Sequence, residues 1–198
     1  MRPFKGRKQD LQLLNVGCGT HYADGWLNVD VWENYETRPD LVVAANEPYP
    51  FADGTFDAIF LGHVVEHLDW HFVRTFLADM ERIAKPGSPI LIVAPDVYRT
   101  IDMWRDGGAP WELVQSVLEH QDIKSDNVKW AEFWDGATHH WNCHERRVVE
   151  VLESIGAKQI EVVSETIPDG DGFKDPHSSI VWPVVGKAQW QCAVRFVA

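Results

Sequence analysis

The chain has 198 residues, the usual length of one domain, and 45% of them are apolar. Its formal net charge of −12 argues against a nucleic-acid partner, which would need a basic surface. No apolar run approaches the roughly 18 residues of a membrane span, and the basic segment 1–10 lacks the apolar core of a signal peptide. Three widely spaced cysteines form no CxxC motif. We therefore expect a single cytoplasmic domain, residues 1–198, with no membrane partner and a small or neutral substrate.

The first motif is a strand, a glycine turn and a second strand. Residues 11–16 are an apolar run typical of a buried strand, and Gly17-Cys18-Gly19 follows it directly. Residues 26–31 form the second strand and include an acid, Asp30. This arrangement is typical of a nucleoside-binding half-site in which the acid binds ribose hydroxyls. The dinucleotide fingerprint requires a third glycine where Tyr22 stands, so a nicotinamide-dependent oxidoreductase is disfavoured.

Strands and helices then alternate along the chain, with an arm at 1–10 and an insertion at 97–141 that we expect to cover the substrate. The predicted strands are 41–45, 58–61, 89–94, 157–166 and 190–197, and the predicted helices are 64–68, 70–84, 111–120, 128–133 and one ending at 156. Such alternation favours an α/β fold with a parallel sheet and helices on both faces. The last two strands, which lack a helix between them, are expected to form an antiparallel pair at one edge.

Three local patterns receive structural interpretations. Asn142 followed by Glu145 three residues later is typical of a capping box at a helix start. Glu66 and His67 are interpreted as the opening of a helix. Residues 169–177 resemble a calcium loop in composition but lack its twelfth-position glutamate, so we expect a solvated loop.

Ten tryptophans in 198 residues are a clear excess. Large aromatic side chains usually fill the core of a domain. Several of these tryptophans fall in predicted loops or helix ends, where as a group they could line a stacking surface for sugar rings.

Four segments, LLNVGCG, NVD, PFADGTFDAIFLGHVVEHL and LADMERIAKPGSPILIVAPD, occur in this order and at family-like distances. Together they resemble class I S-adenosylmethionine-dependent methyltransferases, most closely the small stand-alone group often associated with glycan synthesis. The resemblance covers residues 11–96 well and 139–198 in outline, but not 97–138. It implies a Rossmann-like fold with a mostly parallel seven-stranded sheet and an antiparallel C-terminal edge strand.

The resemblance also implies where the cofactor lies. Gly17 and Gly19 would pass close under it, Asp30 would bind its ribose hydroxyls, the turn 45–47 would lie by the adenine, and His63 would contact the methionine half. The full set of implied cofactor contacts is Asn15, Gly17, Cys18, Gly19, Asp30, Val31, Asn46, Glu47 and His63.

Two positions depart from the family pattern. Asn15 and Ala45 stand where the family often carries acids. Asn15 can still form hydrogen bonds, and Asn46 could take over adenine recognition. These departures leave open a catalytically idle cofactor-binding subunit that activates a partner.

Three histidines within six residues provide candidates for the chemistry. A hydroxyl acceptor must lose its proton during methyl transfer, and histidine suits a general base near neutral pH. We predict His144, and second His140, as this base, with substrate contacts from Asp96, His139 and Trp141. An alternative with a divalent ion such as Mg²⁺ would use His140, His144 and Asp96 as ligands.

The function predicted from the sequence is therefore O-methylation of a carbohydrate or other small acceptor with S-adenosylmethionine. N-methylation of a small metabolite is the alternative enzyme activity. A homodimer is compatible with the sequence.

Overall fold

The computed structural model describes residues 11–31, 38–44, 47–119, 139–168, 171–185 and 189–198. The predicted arm at 1–10, the predicted helix at 128–133 and the cofactor contact Asn46 lie outside the described residues. In the part of the chain that is described, no helix is long and apolar enough to cross a bilayer.

A seven-stranded sheet organises the domain. Its strands are β1 (Leu13–Val16), β2 (Leu27–Asp30), β3 (Leu41–Val42), β4 (Ala58–Gly62), β5 (Pro89–Pro95), β6 (Lys158–Val162) and β9 (Gln191–Val197). They are arranged in the order β3-β2-β1-β4-β5-β9-β6. Strands β1 to β5 pair in parallel, whereas β9 pairs antiparallel with both β5 and β6. The predicted sheet is confirmed, with its antiparallel strand lying just inside the edge strand β6.

Within the described ranges, four α-helices connect the strands. They are α1 (Val73–Ile83), α2 (Val97–Arg105), α3 (Trp111–Glu119) and α4 (Glu145–Ile155). The predicted helix at 64–68 is only a 3₁₀ turn, Val65–His67, and the predicted strand at 157–166 ends at Val162 before a second 3₁₀ turn, Ser164–Thr166. Both differences shorten an element that the apolar pattern had placed correctly.

Helices α1 and α4 cover one face of the sheet. Phe76 and Met80 of α1 and Leu152 of α4 are at most 2% exposed and belong to one apolar cluster with Leu14 and Ile92 of the sheet. Burial of each such side chain contributes about 1.5–3 kcal/mol to folding. This face therefore holds the larger part of the core and fixes the strands whose ends form the site.

A β-hairpin covers the other face. It consists of β7 (Asp171–Lys174) and β8 (Val181–Val185), which pair antiparallel, and it buries Trp182 completely against Phe60 of β4. The solvated loop predicted for 169–177 is therefore wrong over 171–174, which form a strand, and residues 169–170 lie outside the described ranges. The sequence predicts helices on both faces. Within the described residues, the apolar cluster on this second face is instead completed by side chains of the hairpin.

An ion pair anchors the hairpin to the sheet. Arg195 of β9 donates from Nε to Oδ2 of Asp175 at 2.8 Å, and the two side chains are 6% and 0% exposed. Trp182 also donates from Nε1 to Oδ2, and the backbone N–H of His177 donates to Oδ1. Burial alone raises the pKa of Asp175, but these hydrogen bonds lower it by more, so the pKa lies below its usual value.

We expect acid to weaken this anchor. A carboxyl group whose pKa is lowered by folding stabilises the native state above its unfolded pKa of about 3.9, and this contribution is lost as the pH falls through the folded pKa. The urea midpoint of the wild-type chain should therefore fall below about pH 4. It should fall less in Asp175→Asn, whereas the exposed control Asp171→Asn should follow the wild type. An unaltered pH dependence in Asp175→Asn would contradict this assignment.

Candidate active site

A cavity of about 350 Å³ opens at the carboxyl ends of β1, β4 and β5. Gly17, Gly62 and Val93 line its floor at the ends of these strands, and Trp190 and Gln191 line it from the start of β9. Ligands of open α/β sheets bind at this edge, at the point between β1 and β4 where the strand order reverses.

The glycine turn at the cavity floor requires glycine at position 17. Gly17 has φ +66°, and a Cβ atom there would lie 2.4 Å from Cγ2 of Val64. Gly19 also has positive φ, at +48°, but a Cβ atom on Gly19 would meet nothing within 4 Å. The turn is therefore packed against the protein at its first glycine and open at its last, which leaves room for a ligand to approach the backbone.

Asp30 ends β2 beside this turn, and its carboxylate is 8% exposed. Its Oδ2 accepts a hydrogen bond from the N–H of Gly19 and its Oδ1 accepts one from the N–H of Val31, each at 2.7 Å. A carboxylate oxygen can accept two hydrogen bonds, so each oxygen retains capacity for a ribose hydroxyl. The residues present therefore fit a nucleoside, as the sequence predicts for Asp30.

Two further predicted contacts line the cavity from its buried side. Asn15 is 3% exposed and donates from Nδ2 to Oδ1 of Asn28 at 2.9 Å and to the carbonyl of His21 at 3.2 Å, so its side chain braces the turn. Burial, with the charge of Asp30, raises the pKa of the Cys18 thiol to about 11. The thiol is thus neutral at physiological pH and is not a nucleophile.

The remaining predicted cofactor contacts lie farther from the cavity wall. Val31 is 48% exposed, next to Asp30. Glu47 is exposed and lines a separate cavity with Phe72 and Asp79. Their predicted roles towards the adenosine half stay predictions.

His63 and Glu66 form a pair at the cavity that the sequence predicts only in part. His63 has φ +56°, an unusual conformation for a non-glycine residue, and its side chain is 37% exposed. Its Nδ1 lies 3.1 Å from Oε1 of Glu66, its Nε2 contacts the side-chain amide of Gln191, and its ring lies 5.5 Å from that of Trp190. The strained backbone therefore holds an imidazole between a carboxylate and the cavity.

Glu66 is completely buried. Burial alone would raise the pKa of its carboxyl group, but the hydrogen bond from His63 and the neighbouring imidazole of His67 lower it by more. The carboxylate is therefore ionised at neutral pH and holds the proton of His63 on Nδ1. Glu66 lies in the 3₁₀ turn that stands at the predicted helix, and it also pairs with His63, a contact for which the spacing His63-x-x-Glu66 was a signal.

Asp96 and His144 lie at a third cavity, of about 340 Å³, together with Tyr98 and Arg99. Asp96 caps α2, because its Oδ1 accepts from the N–H groups of Tyr98 and Arg99, and its Oδ2 accepts from the N–H of Glu145. His144 caps α4, because its Nδ1 accepts from the N–H of Arg147 at 3.2 Å.

The capping box predicted at Asn142 is therefore wrong, since the helix begins after His144. The buried side chain of Cys143 and the hydrogen bond from Val97 to its carbonyl hold this residue in the domain core and delay the helix. His144 thus lines a different cavity from the one beside Gly17, and its predicted role as the base stays a prediction.

The other residues of the histidine cluster separate from one another. Trp141 is 7% exposed, donates from Nε1 to the carbonyl of Val65 at 2.8 Å and packs on Trp70, so its side chain lies in the core, and its predicted substrate contact stays a prediction. His140 is exposed, and its backbone N–H donates to the carbonyl of Glu66. His139 contacts His67, with 5.0 Å between the rings.

The predicted metal ligands are not brought together. Among the described residues, the group with three potential ligand atoms within 4.8 Å of one another is Glu66, His67 and His139. The set His140, His144 and Asp96 does not meet this condition, because the hydrogen bonds of Asp96 and His144 direct both side chains to the helix caps.

We expect His144→Ala to act on stability. Loss of a capping side chain costs about 0.5–2 kcal/mol, which lowers the melting temperature of a domain of this size by a few degrees. Circular dichroism melting of His144→Ala against the exposed control His71→Ala measures this difference. Equal melting temperatures of the two variants would show that the cap contributes nothing.

Comparisons with known proteins agree with this geometry. Residues 14–92 match a family described as a methyltransferase domain. This segment runs from β1 to β5 and contains the glycine turn, Asp30 and His63.

Solved structures share the fold at low sequence identity. An S-adenosylmethionine-dependent methyltransferase from Archaeoglobus fulgidus superposes with a TM-score of 0.54 at 15% identity, over 96% of this chain and 87% of the other. A Thermotoga maritima methyltransferase, described as a possible histamine N-methyltransferase, gives 0.53 at 13% identity over 94% and 81%. The carbon methyltransferase CurJ gives 0.51 at 14% identity over 100% and 50%.

These neighbours methylate different atoms according to their names, so the shared fold does not select the acceptor. Residues 14–92 match a methyltransferase domain, and the chain shares the fold of S-adenosylmethionine-dependent methyltransferases.

Proposed function

We propose that this methyltransferase acts on a hydroxyl oxygen of a small or carbohydrate acceptor bound in the cavity beside Gly17. The observation that carries the proposal is the His63–Glu66 pair, which presents an oriented imidazole to the cavity. A hydroxyl acceptor needs a base during methyl transfer, whereas a neutral amine does not. An imidazole held by a buried carboxylate is suited to that task.

The donor supplies an activated methyl group, and the chain supplies alignment, exclusion of water and a proton acceptor. His63 keeps its proton on Nδ1, because Oε1 of Glu66 can only accept a hydrogen bond. Its Nε2 then carries the lone pair. As the new C–O bond formed and the bond from the methyl carbon to the donor sulfur broke, leaving its electron pair on the sulfur, the hydroxyl proton would pass to Nε2, and Glu66 would stabilise the resulting imidazolium. The acceptor hydroxyl would first displace the Gln191 amide from Nε2.

The walls of the cavity support a carbohydrate-sized acceptor. Trp190 lies against His63, and Pro183 and Val184 of the hairpin line the same cavity. Aromatic and apolar faces of this kind stack on sugar rings. The formal charge of −12 favours a neutral acceptor over an anionic one.

The base in this proposal is His63 instead of the sequence-predicted His144 and His140. His63 lines the cavity that also contains the glycine turn, whereas His144 lines the cavity at the start of α4. His140 is exposed and touches Glu66 only through its backbone.

A panel of acceptors with donor carrying a radiolabelled methyl group tests the proposal. We expect label to enter a neutral sugar or another small alcohol. Label found only in amines, with every alcohol inert, would overturn the hydroxyl proposal and favour N-methylation, the activity suggested by the name of the Thermotoga maritima neighbour. Donor binding with no transfer to either class would favour an idle cofactor-binding subunit.

A further inference from the structure

Two histidines and a carboxylate converge immediately behind the His63 side of the cavity. Ligand atoms of Glu66, His67 and His139 all lie within 4.8 Å of one another. The 3₁₀ turn Val65–His67 supplies the first two residues, and His139, which precedes α4, supplies the third. These residues belong to segments that are distant in sequence, so the grouping is a product of the fold.

A cation at this position would stabilise the buried carboxylate of Glu66. Its Oε1 faces His63, whereas its Oε2 is buried and has no hydrogen-bond partner among the residues that the structure describes. Leaving a buried carboxylate oxygen without a partner costs more stability than leaving a neutral polar group unsatisfied. A bound cation would remove this cost.

His139 is oriented as metal-binding histidines are. Its Nδ1 lies 2.7 Å from the carbonyl of Val117, and because a carbonyl oxygen only accepts, Nδ1 carries the proton. The lone pair is then on Nε2. A second nitrogen that donates to a backbone carbonyl is the usual support of a histidine ligand.

His67 completes the set and leaves it accessible. Its Nε2 lies 3.9 Å from Oε1 of Glu66, and its side chain is 22% exposed. Solvent ions can therefore reach the cluster past His67, while Glu66 closes it from the core side.

We propose that Glu66, His67 and His139 bind one divalent first-row transition-metal ion, such as Zn²⁺. Two imidazoles with one carboxylate suit such ions better than Mg²⁺, which prefers an all-oxygen shell. Three protein ligands leave a coordination position for water or substrate. Glu66 contacts His63 through Oε1, so an ion here would be linked to the proposed base through this carboxylate; this link rests on the proposed function.

Calorimetric titration of the chelator-treated 198-residue chain with Zn²⁺ alone, without donor or acceptor, tests the site. We expect one equivalent to bind and affinity to fall by about tenfold or more in Glu66→Gln and His139→Ala. The exposed control His71→Ala should bind as the wild type does. Circular dichroism of each variant checks folding, and His139→Ala keeps the test valid if Glu66→Gln does not fold.

No zinc binding by the wild type, or unchanged affinity in His139→Ala, would overturn the metal site. This outcome is separate from the acceptor question. A chain that binds zinc through these residues but methylates only amines would retain the site and lose the hydroxyl proposal.

Discussion

Asp30→Ala should weaken the binding of S-adenosylmethionine by about 100-fold or more. Hydrogen bonds to a charged group contribute about 1.5–3 kcal/mol each, and the variant loses those that the ribose hydroxyls would make, where each 1.4 kcal/mol is a factor of ten. It also removes the acceptor for the N–H of Gly19, which shapes the glycine turn. Isothermal titration of the variant and the wild type measures the effect directly.

Asp24→Ala is the matched control for this substitution. Asp24 is exposed in the same connection between β1 and β2, and it carries the same charge as Asp30. Its variant should bind the donor as the wild type does. If both variants bind like the wild type while remaining folded, Asp30 does not hold the ribose.

His63→Ala should lower kcat by about 10²- to 10⁴-fold with a hydroxyl acceptor, the usual contribution of a general base. Donor affinity should change little, because the variant retains Asp30 and the glycine turn. Steady-state kinetics with a hydroxyl acceptor and calorimetric titration with the donor measure the two effects.

His144→Ala decides between the two proposed bases. We expect His144→Ala to retain the wild-type kcat at a temperature where it is folded, since His144 lines the other cavity. A loss of kcat confined to His144→Ala, with His63→Ala fully active, would restore the assignment predicted from the sequence.

The central sheet could be predicted from the sequence because its strands are buried on both faces. Residues such as Leu14, Ile59 and Ile92 are at most 1% exposed, and continuous apolar runs of this kind are readily recognised. The glycine turn and Asp30 could also be predicted, because their spacing is set by local backbone geometry.

The hairpin and the His63–Glu66 pair could not be fully predicted, because tertiary contacts define them. β7 contains Asp171, Gly172 and Lys174, a composition typical of a loop, and it is held as a strand through Phe173 and the buried Asp175–Arg195 pair. In the same way, nothing local to the His63 segment indicates that Gln191 lies beside it.

The start of α4 was misplaced for a related reason. The capping-box spacing favours Asn142, but the packing of Cys143 and the hydrogen bond between Glu145 and Asp96 move the helix start to His144. These two tertiary contacts outweigh the local three-residue pattern. The proposed base also differs from the one predicted from the sequence, because the side chains of the histidine cluster face several directions once the chain is folded.

A crystal structure of the chain with S-adenosylhomocysteine tests the central claim most directly. The account predicts that the ribose hydroxyls lie within hydrogen-bonding distance of the Asp30 carboxylate, and that the sulfur faces His63 in the cavity beside Gly17. A nucleoside bound at the cavity of Asp96 and His144 instead, or a Gly17 cavity that excludes it, would contradict the account.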